Sequence, residues 1–132
     1  MTMERKYDLE ERLIDFSVLV ADVVESLPDT RAANHIAGQL IRSGTSPAPN
    51  YGESQGAESR RDFIHKLKIS LKELQETRVW LKVIGRKNYM KNGTDLQKSS
   101  QECEELIRIF AKSIVTAEKN MQNRKRRKGD IA

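Results

Sequence analysis

The sequence predicts an all-α protein built as an antiparallel, up-and-down four-helix bundle. Apolar residues recur at helical spacing in four separate segments, and the connections between these segments are short. Aromatic residues make up only 5% of the 132 residues, so aliphatic side chains must fill most of the core. Charged residues reach 33%, but the apolar residues are periodic rather than scattered, which distinguishes the chain from a disordered one.

The first predicted helix covers about residues 8–27, where the apolar side chains lie on one helical face. Pro28 stops this helix, and Asp29 and Thr30 offer a cap for the next one. The apolar face comprises Leu9, Leu13, Phe16, Val20, Val23, Val24 and Leu27.

The second predicted helix covers residues 31–57 and is expected to be kinked near residues 43–49. Pro47 and Pro49 would normally break a helix at this point. However, Ser46 followed by Pro47 has the pattern of an N-cap residue and a first helical position, so the helix is expected to restart at once. We therefore interpret this stretch as a bend in one long helix rather than as a catalytic loop.

The third and fourth predicted helices cover about residues 60–86 and 95–122. Residues 124–132 have no apolar face and are interpreted as a basic, flexible tail. The bundle is thus predicted to form one domain of residues 1–123. Each of the two helices is preceded by a capping box, in which a hydroxyl residue is followed three positions later by a residue that can bond back to it. The two capping boxes pair Ser59 with Asp62 and Thr94 with Gln97.

A cytoplasmic location is expected from cysteine usage and hydropathy. Cys103 is the only cysteine, so no internal disulfide can form, which fits a reducing compartment. The charged N-terminal residues lack the apolar run of a signal peptide. No segment approaches 18 uninterrupted apolar residues, so no association with a membrane is expected.

Enzymatic activity is not expected, because the sequence offers no set of residues suited to catalysis. A metal site between bundle helices commonly uses Glu-x-x-His pairs, and neither His35 nor His65 has a glutamate at that spacing. Glycine-rich phosphate-binding motifs are absent from the sequence. Glu73 and Glu76 have basic neighbours, so a charged network is favoured over a catalytic carboxylate pair. The sequence predicts neither a metal nor a cofactor.

The basic residues give a stronger functional signal, because the net charge of +5 is unevenly distributed. Residues 1–59 hold five basic and ten acidic side chains, whereas residues 60–91 hold ten basic and three acidic ones. Basic side chains in the third helix and the tail are predicted to contact nucleic-acid phosphates. The alternative is a solvated helix face with a solubilising tail. The predicted contacts are Arg61, Lys68, Lys72, Lys82, Arg86, Arg124, Lys125, Arg126, Arg127 and Lys128.

A second apolar stripe on the third helix predicts self-association. Ile69, Trp80 and Val83 lie away from the residues that face the bundle interior. Aromatic residues are enriched at the centres of protein interfaces, so these three residues form the predicted oligomer interface. The alternative is that Trp80 is half-buried at a helix edge within one chain.

Three sequence blocks resemble a known protein family: QLIRSGTS at 39–46, NYGE at 50–53, and DFIHKLKISLKELQET followed by WL within 62–81. They resemble the four-helix-bundle family of 23S rRNA intervening-sequence proteins, which includes the accessory variability determinants of diversity-generating retroelements. The resemblance covers roughly residues 10–120. The chain departs from the family pattern at Pro47 and Pro49.

This resemblance implies an antiparallel four-helix bundle that assembles as a pentameric ring without enzymatic activity. For the retroelement members it implies binding to nucleic acid and to a reverse transcriptase through a positively charged surface. It also implies a mainly structural network of polar side chains that joins the second helix to the third. The residues that match these polar positions are Arg42, Ser43, Asn50, Glu53, Lys66, Glu73 and Glu76.

The functional hypothesis from the sequence is a non-enzymatic, oligomeric, nucleic-acid-binding protein. The charge distribution and the resemblance together favour structured RNA over DNA as the partner. A reverse transcriptase is a candidate protein partner by resemblance alone. The alternative is an assembly or adaptor ring that docks another protein and has no direct role with nucleic acid.

Overall fold

The computed structural model describes residues 8–131, and every regular element in that range is an α-helix. The predicted domain also included residues 1–7, and the predicted tail residue 132; these lie outside the described residues. Helices α2 and α3 are the two halves of one bent helix, so the predicted all-α, four-helix bundle is confirmed. The helices are α1 (Leu9–Glu25), α2 (Arg31–Thr45), α3 (Pro47–Gln55), α4 (Arg60–Lys87) and α5 (Thr94–Ile131).

The core runs along the bundle axis and is almost entirely aliphatic. The phenylalanines Phe16 and Phe110 are its largest fully buried side chains. Tyr51 of α3 meets Phe110 of α5 edge-on, with 5.9 Å between ring centroids, and thereby fixes the second half of the bent helix against the bundle. The other buried core residues are Leu13, Val20, Val23, Ile36, Leu40, Leu67, Leu74, Leu81, Ile84, Cys103, Leu106 and Ile114.

The bent helix is interrupted at Ser46, within the region where the kink is predicted. Ser46 occupies the predicted N-cap position and Pro47 is the first residue of α3, but Ser46 keeps helical backbone angles and its side chain makes no capping hydrogen bond. Instead, the Asn50 side-chain Nδ2 donates to the Ser46 carbonyl oxygen at 3.1 Å and to its Oγ at 3.0 Å. The backbone N–H of Asn50 donates to the same Ser46 carbonyl at 3.3 Å, so the side chain reinforces a helical hydrogen bond at a point where Pro47 and Pro49 supply no N–H.

Small residues in α2 allow the bent helix to lie very close to α1. A Cβ atom on Gly44 would be 2.7 Å from Cγ1 and 2.8 Å from Cγ2 of the buried Val20. Next to it, the buried Ser43 Oγ accepts a 2.9 Å hydrogen bond from the Thr77 hydroxyl of α4. Gly44 and Ser43 therefore set the spacing between α2 and the helices on either side of it.

Side chains cap both long helices at their starts. The backbone N–H of Asp62 donates to Ser59 Oγ at 3.0 Å, as the capping-box spacing predicts. At α5 the prediction that Thr94 provides the cap is wrong. Asn92 Oδ1 accepts from the Thr94 backbone N–H at 3.1 Å and from its hydroxyl at 2.7 Å, because Thr94 is already the first helical residue.

The last helix extends further than its predicted end near residue 122 and continues through the basic segment to Ile131. Residues 122–129 are exposed, so no packing accounts for this continuation. Lysine, arginine and glutamine are good helix formers, and the segment contains no proline. Positive charges near a helix C-terminus also interact favourably with the helix dipole. These local preferences extend the helix beyond its apolar face.

Candidate nucleic-acid interface

The predicted phosphate contacts on α4 form one exposed line, which we call the α4 stripe. Their successive spacings of seven, four, ten and four residues place them on the same helical face. From Arg61 to Arg86 the line extends about 38 Å, given a rise of 1.5 Å per residue. The α4 stripe consists of Arg61, Lys68, Lys72, Lys82 and Arg86, all of which are exposed.

The α4 stripe contains no carboxylate along its length. The other residues on this face are His65, Gln75 and Val79, which are also exposed. The glutamates of α4, Glu73 and Glu76, are turned toward α2, where Arg42 binds both. The positive charge on the exposed face is therefore not neutralised by acids of the same helix.

One member of the stripe is already paired. Lys68 Nζ lies 3.0 Å from Glu118 Oε2 of α5, so a phosphate must compete with this carboxylate. The side chains of Lys72, Lys82 and Arg86 make no ion pair with any residue in the described range. Arg61 likewise makes no ion pair in that range, so these four are the stripe residues best placed to bind phosphate.

The five cations at 124–128, which we call the basic segment, lie at the same end of the bundle as Arg61. Glu118 and Met121 of α5 line a depression together with Arg61 and Lys68. The same two residues line a second depression together with Lys125 and Arg126. The structure thus brings the start of the stripe near the basic segment and leaves the end of the stripe at the opposite end of α4.

The predicted oligomer-interface residues Ile69, Trp80 and Val83 are half-buried within the single chain. Trp80 Nε1 donates to Glu76 Oε2 at 3.1 Å, and the indole meets His35 of α2 edge-on, with 6.3 Å between ring centroids. Trp80 and Val83 also pack against the core cluster, whereas Ile69 is not among its partners. Trp80 thus has a packing role inside the chain, and self-association remains a prediction.

The polar residues assigned to a structural network by resemblance mostly connect the bent helix to α4. Arg42 Nη1 lies 3.1 Å from Glu73 Oε2, and Arg42 Nη2 contacts Glu76 Oε2 and Gln39. Trp80 shares the Glu76 carboxylate. This cluster fixes α2 against α4 at the point where α2 approaches the bend.

A second ion pair connects α3 to α4. Lys66 Nζ donates a 2.8 Å hydrogen bond to Glu53 Oε1, and this bond raises the pKa of the lysine. Asn50 differs from the rest of the network, because its amide bonds only within the bend. The partner of Ser43 on α4 is Thr77, which is not among the polar residues that the resemblance indicates. The sequence signal for Thr77 is that it places a hydroxyl group on the otherwise apolar inner face of α4.

Chemically reactive groups are few in the described part of the chain. Cys103 is buried, its thiol donates to the Leu74 carbonyl at 3.3 Å, and burial raises the pKa of the thiol to about 12. A protonated thiol is a poor nucleophile and a poor metal ligand. Residues 8–131 contain no cluster of three or more residues suited to holding a metal ion. No helix among them has the length and apolar character needed to cross a bilayer.

The fold and this surface define the class of protein: a four-helix bundle with a braced, bent second helix and an exposed cationic face. Residues 5–126 match the 23S rRNA-intervening sequence protein family, and the chain belongs to that family. The predicted resemblance is thereby confirmed.

A solved structure is similar to this chain. It is a protein of unknown function from the S23 ribosomal protein family of Bacteroides thetaiotaomicron VPI-5482, with 30% sequence identity and a TM-score of 0.72. The match covers 80% of this chain and 96% of that one. No curated protein sequence shows a significant match.

Proposed function

We propose that this protein is a non-enzymatic, oligomeric protein that binds structured RNA through phosphate contacts from the α4 stripe and the basic segment. The proposal depends on one observation: an exposed face of α4 that holds five cations and no carboxylate. Such a face neutralises phosphates and releases their counterions, which supplies binding free energy without base recognition. Trp80 and Tyr51 are half-buried, so the proposal invokes backbone and shape recognition rather than base stacking.

Structured RNA is the partner that this surface fits best. A-form helices are recognised mostly through phosphates, 2′-hydroxyls and shape, which suits a long cationic line without aromatic platforms. The description of the family also names 23S rRNA. A line of about 38 Å would contact the backbone over several base pairs.

The proposal predicts strongly salt-dependent binding. With about six phosphates neutralised, the affinity for a structured RNA hairpin should fall roughly 10³-fold between about 50 and 200 mM monovalent salt. Fluorescence anisotropy with a labelled hairpin measures this dependence, and a single strand of the same length serves as the comparison. An affinity that does not change with salt, or no binding at low salt, would refute the proposal.

We also propose that the chain self-associates through the side of α4 that carries Ile69, Trp80 and Val83. Replacing Ile69 with glutamate should lower the native mass measured by light scattering, because a charge would be buried in the contact. Val115, which is 58% exposed on α5, provides the matched control: Val115→Glu should leave the mass unchanged. An Ile69→Glu variant with the wild-type mass would exclude this contact.

The second candidate is an adaptor that docks another protein, and the outer face of α1 favours it. Ile14 and Val18 are 44% and 56% exposed and lie one turn apart. The neighbouring Glu11 and Asp15 are also exposed. Such a surface fits a partner with apolar and basic groups, a reverse transcriptase being the candidate by resemblance. In that case the protein would bind this partner and would show no salt-dependent affinity for RNA.

A further inference from the structure

The basic segment has a geometry that the α4 stripe does not share. Met121 is the last residue of α5 with a partly buried side chain in the described range, and residues 122–129 are exposed. The helix nevertheless continues to Ile131. The exposed residues 122–129, at 1.5 Å each, therefore extend roughly 12 Å past Met121 as an exposed helix.

The five cations of this helix surround its axis. Consecutive residues are rotated by 100° around an α-helix, so five in succession cover the full circle. The α4 stripe presents cations on one side only and suits contact with one backbone. A helix with cations on every side is matched to phosphates on both of its flanks. That arrangement occurs where a helix lies in a groove between two nucleic-acid strands.

We propose that the basic segment binds as a helix in the major groove of RNA at a bulge or an internal loop. This inference rests on the proposed function and adds the binding mode and the RNA feature. An α-helix with its side chains is about 10–12 Å across. The major groove of uninterrupted A-form RNA is deep and too narrow for side chains to read, so an unbroken stem does not admit this helix. Unpaired nucleotides interrupt the stem and open the groove.

Phosphates on both sides also stabilise the helix itself. Arg124 and Lys128 are four residues apart, and Arg124 and Arg127 are three apart, so like charges repel along the exposed helix. The segment has no apolar face to offset this repulsion. Phosphates that neutralise these charges remove the repulsion, and binding should therefore increase the helix content of the segment.

The test asks whether RNA binding needs the helical conformation of the basic segment or only its positive charge. Asn123→Pro interrupts the helix just before the basic segment and leaves every charge in place. Asn123→Ala is the matched control, because alanine favours the helix at the same position. A proline ring at position 123 meets the carbonyl of residue 119, at the exposed end of the bundle, so thermal unfolding of both variants checks that the core is intact and circular dichroism checks that only the proline variant loses helix. Full-length wild-type protein and both variants are titrated against an RNA hairpin with an internal loop, an uninterrupted RNA hairpin, and a DNA hairpin of the same length.

The expected result is that wild type and Asn123→Ala favour the interrupted RNA stem. Asn123→Pro should lose roughly tenfold in affinity for that stem, because several phosphate contacts are lost together, and should bind the uninterrupted stem as wild type does. Salt-dependent binding that is equal for Asn123→Pro and wild type would overturn this inference and leave the proposed function standing. A wild-type preference for the DNA hairpin would also overturn it. Failure of wild type to bind any hairpin would refute the proposed function itself.

Discussion

Gly44→Ala should lower the free energy of unfolding by about 1–3 kcal/mol, the usual effect of adding a methyl group to a well-packed core. The new Cβ would be 2.7 Å from Val20 Cγ1, well inside van der Waals contact. Val20 is fully buried and stiff at χ1, so it cannot rotate away cheaply. The helices α1 and α2 would have to separate, which would also disturb the Ser43–Thr77 hydrogen bond next to the contact.

Gly38 provides the matched control, because it lies in the same helix and no atom beyond its own stretch of helix lies within 4 Å of a Cβ built there. Gly38→Ala should stabilise the protein by up to about 1 kcal/mol through helix propensity alone. Urea denaturation followed by circular dichroism measures both variants. If both substitutions stabilised the protein, the close approach of α1 and α2 would not be a feature of the protein in solution.

The sequence was sufficient to predict the bundle and the position of the bend, but not the way the bend is held. Apolar periodicity is a local signal, and the prolines restrict the backbone at their own positions. At the bend, the side-chain hydrogen bond comes from Asn50, because Ser46 keeps helical backbone angles and its side chain does not cap α3. Those angles are fixed only when the helix packs in the bundle. The same holds for Gly44, whose role becomes visible only when Val20 of another helix is placed beside it.

In the candidate site, too, features that depend on one helix could be predicted from the sequence, whereas contacts between helices could not. The exposed line on α4 follows from residue spacing within one helix, and the structure places all five of its cations in solvent. The pairing of Lys68 with Glu118 depends on the register between α4 and α5, which spacing within one helix does not determine. Trp80 is a similar case, because its contact with His35 requires the position of α2.

The extent of α5 differs from the prediction for another reason. The apolar face ends near residue 122, and burial usually decides where a helix stops, so the sequence predicts the end of the helix there. In the structure the helix continues to Ile131 on propensity alone. The exposed, cationic last turns of this helix gain nothing from packing in the bundle, which is why we propose phosphate binding as the role of the basic segment.

Reversing three charges on the α4 stripe should reduce affinity for structured RNA about 100-fold or more at low salt. The triple variant Lys72→Glu, Lys82→Glu and Arg86→Glu removes three phosphate contacts and adds three repulsive charges. These side chains make no ion pair within the described residues, so their reversal should leave the bundle intact. Anisotropy titrations at low salt measure the loss, and thermal unfolding checks the fold.

The control must change the net charge by the same amount on a different surface. Lys98→Glu, Arg108→Glu and Lys112→Glu do so at exposed positions of α5. Long-range attraction between the whole protein and RNA would weaken equally in both triple variants, whereas a binding surface on α4 would make the first far more damaging than the second. Equal losses would show that RNA responds to net charge and would rule out the α4 stripe as a site. A loss confined to the α4 variant, together with a shallower dependence on salt, would localise the phosphate contacts to that helix, because each lost contact lowers the slope by about one.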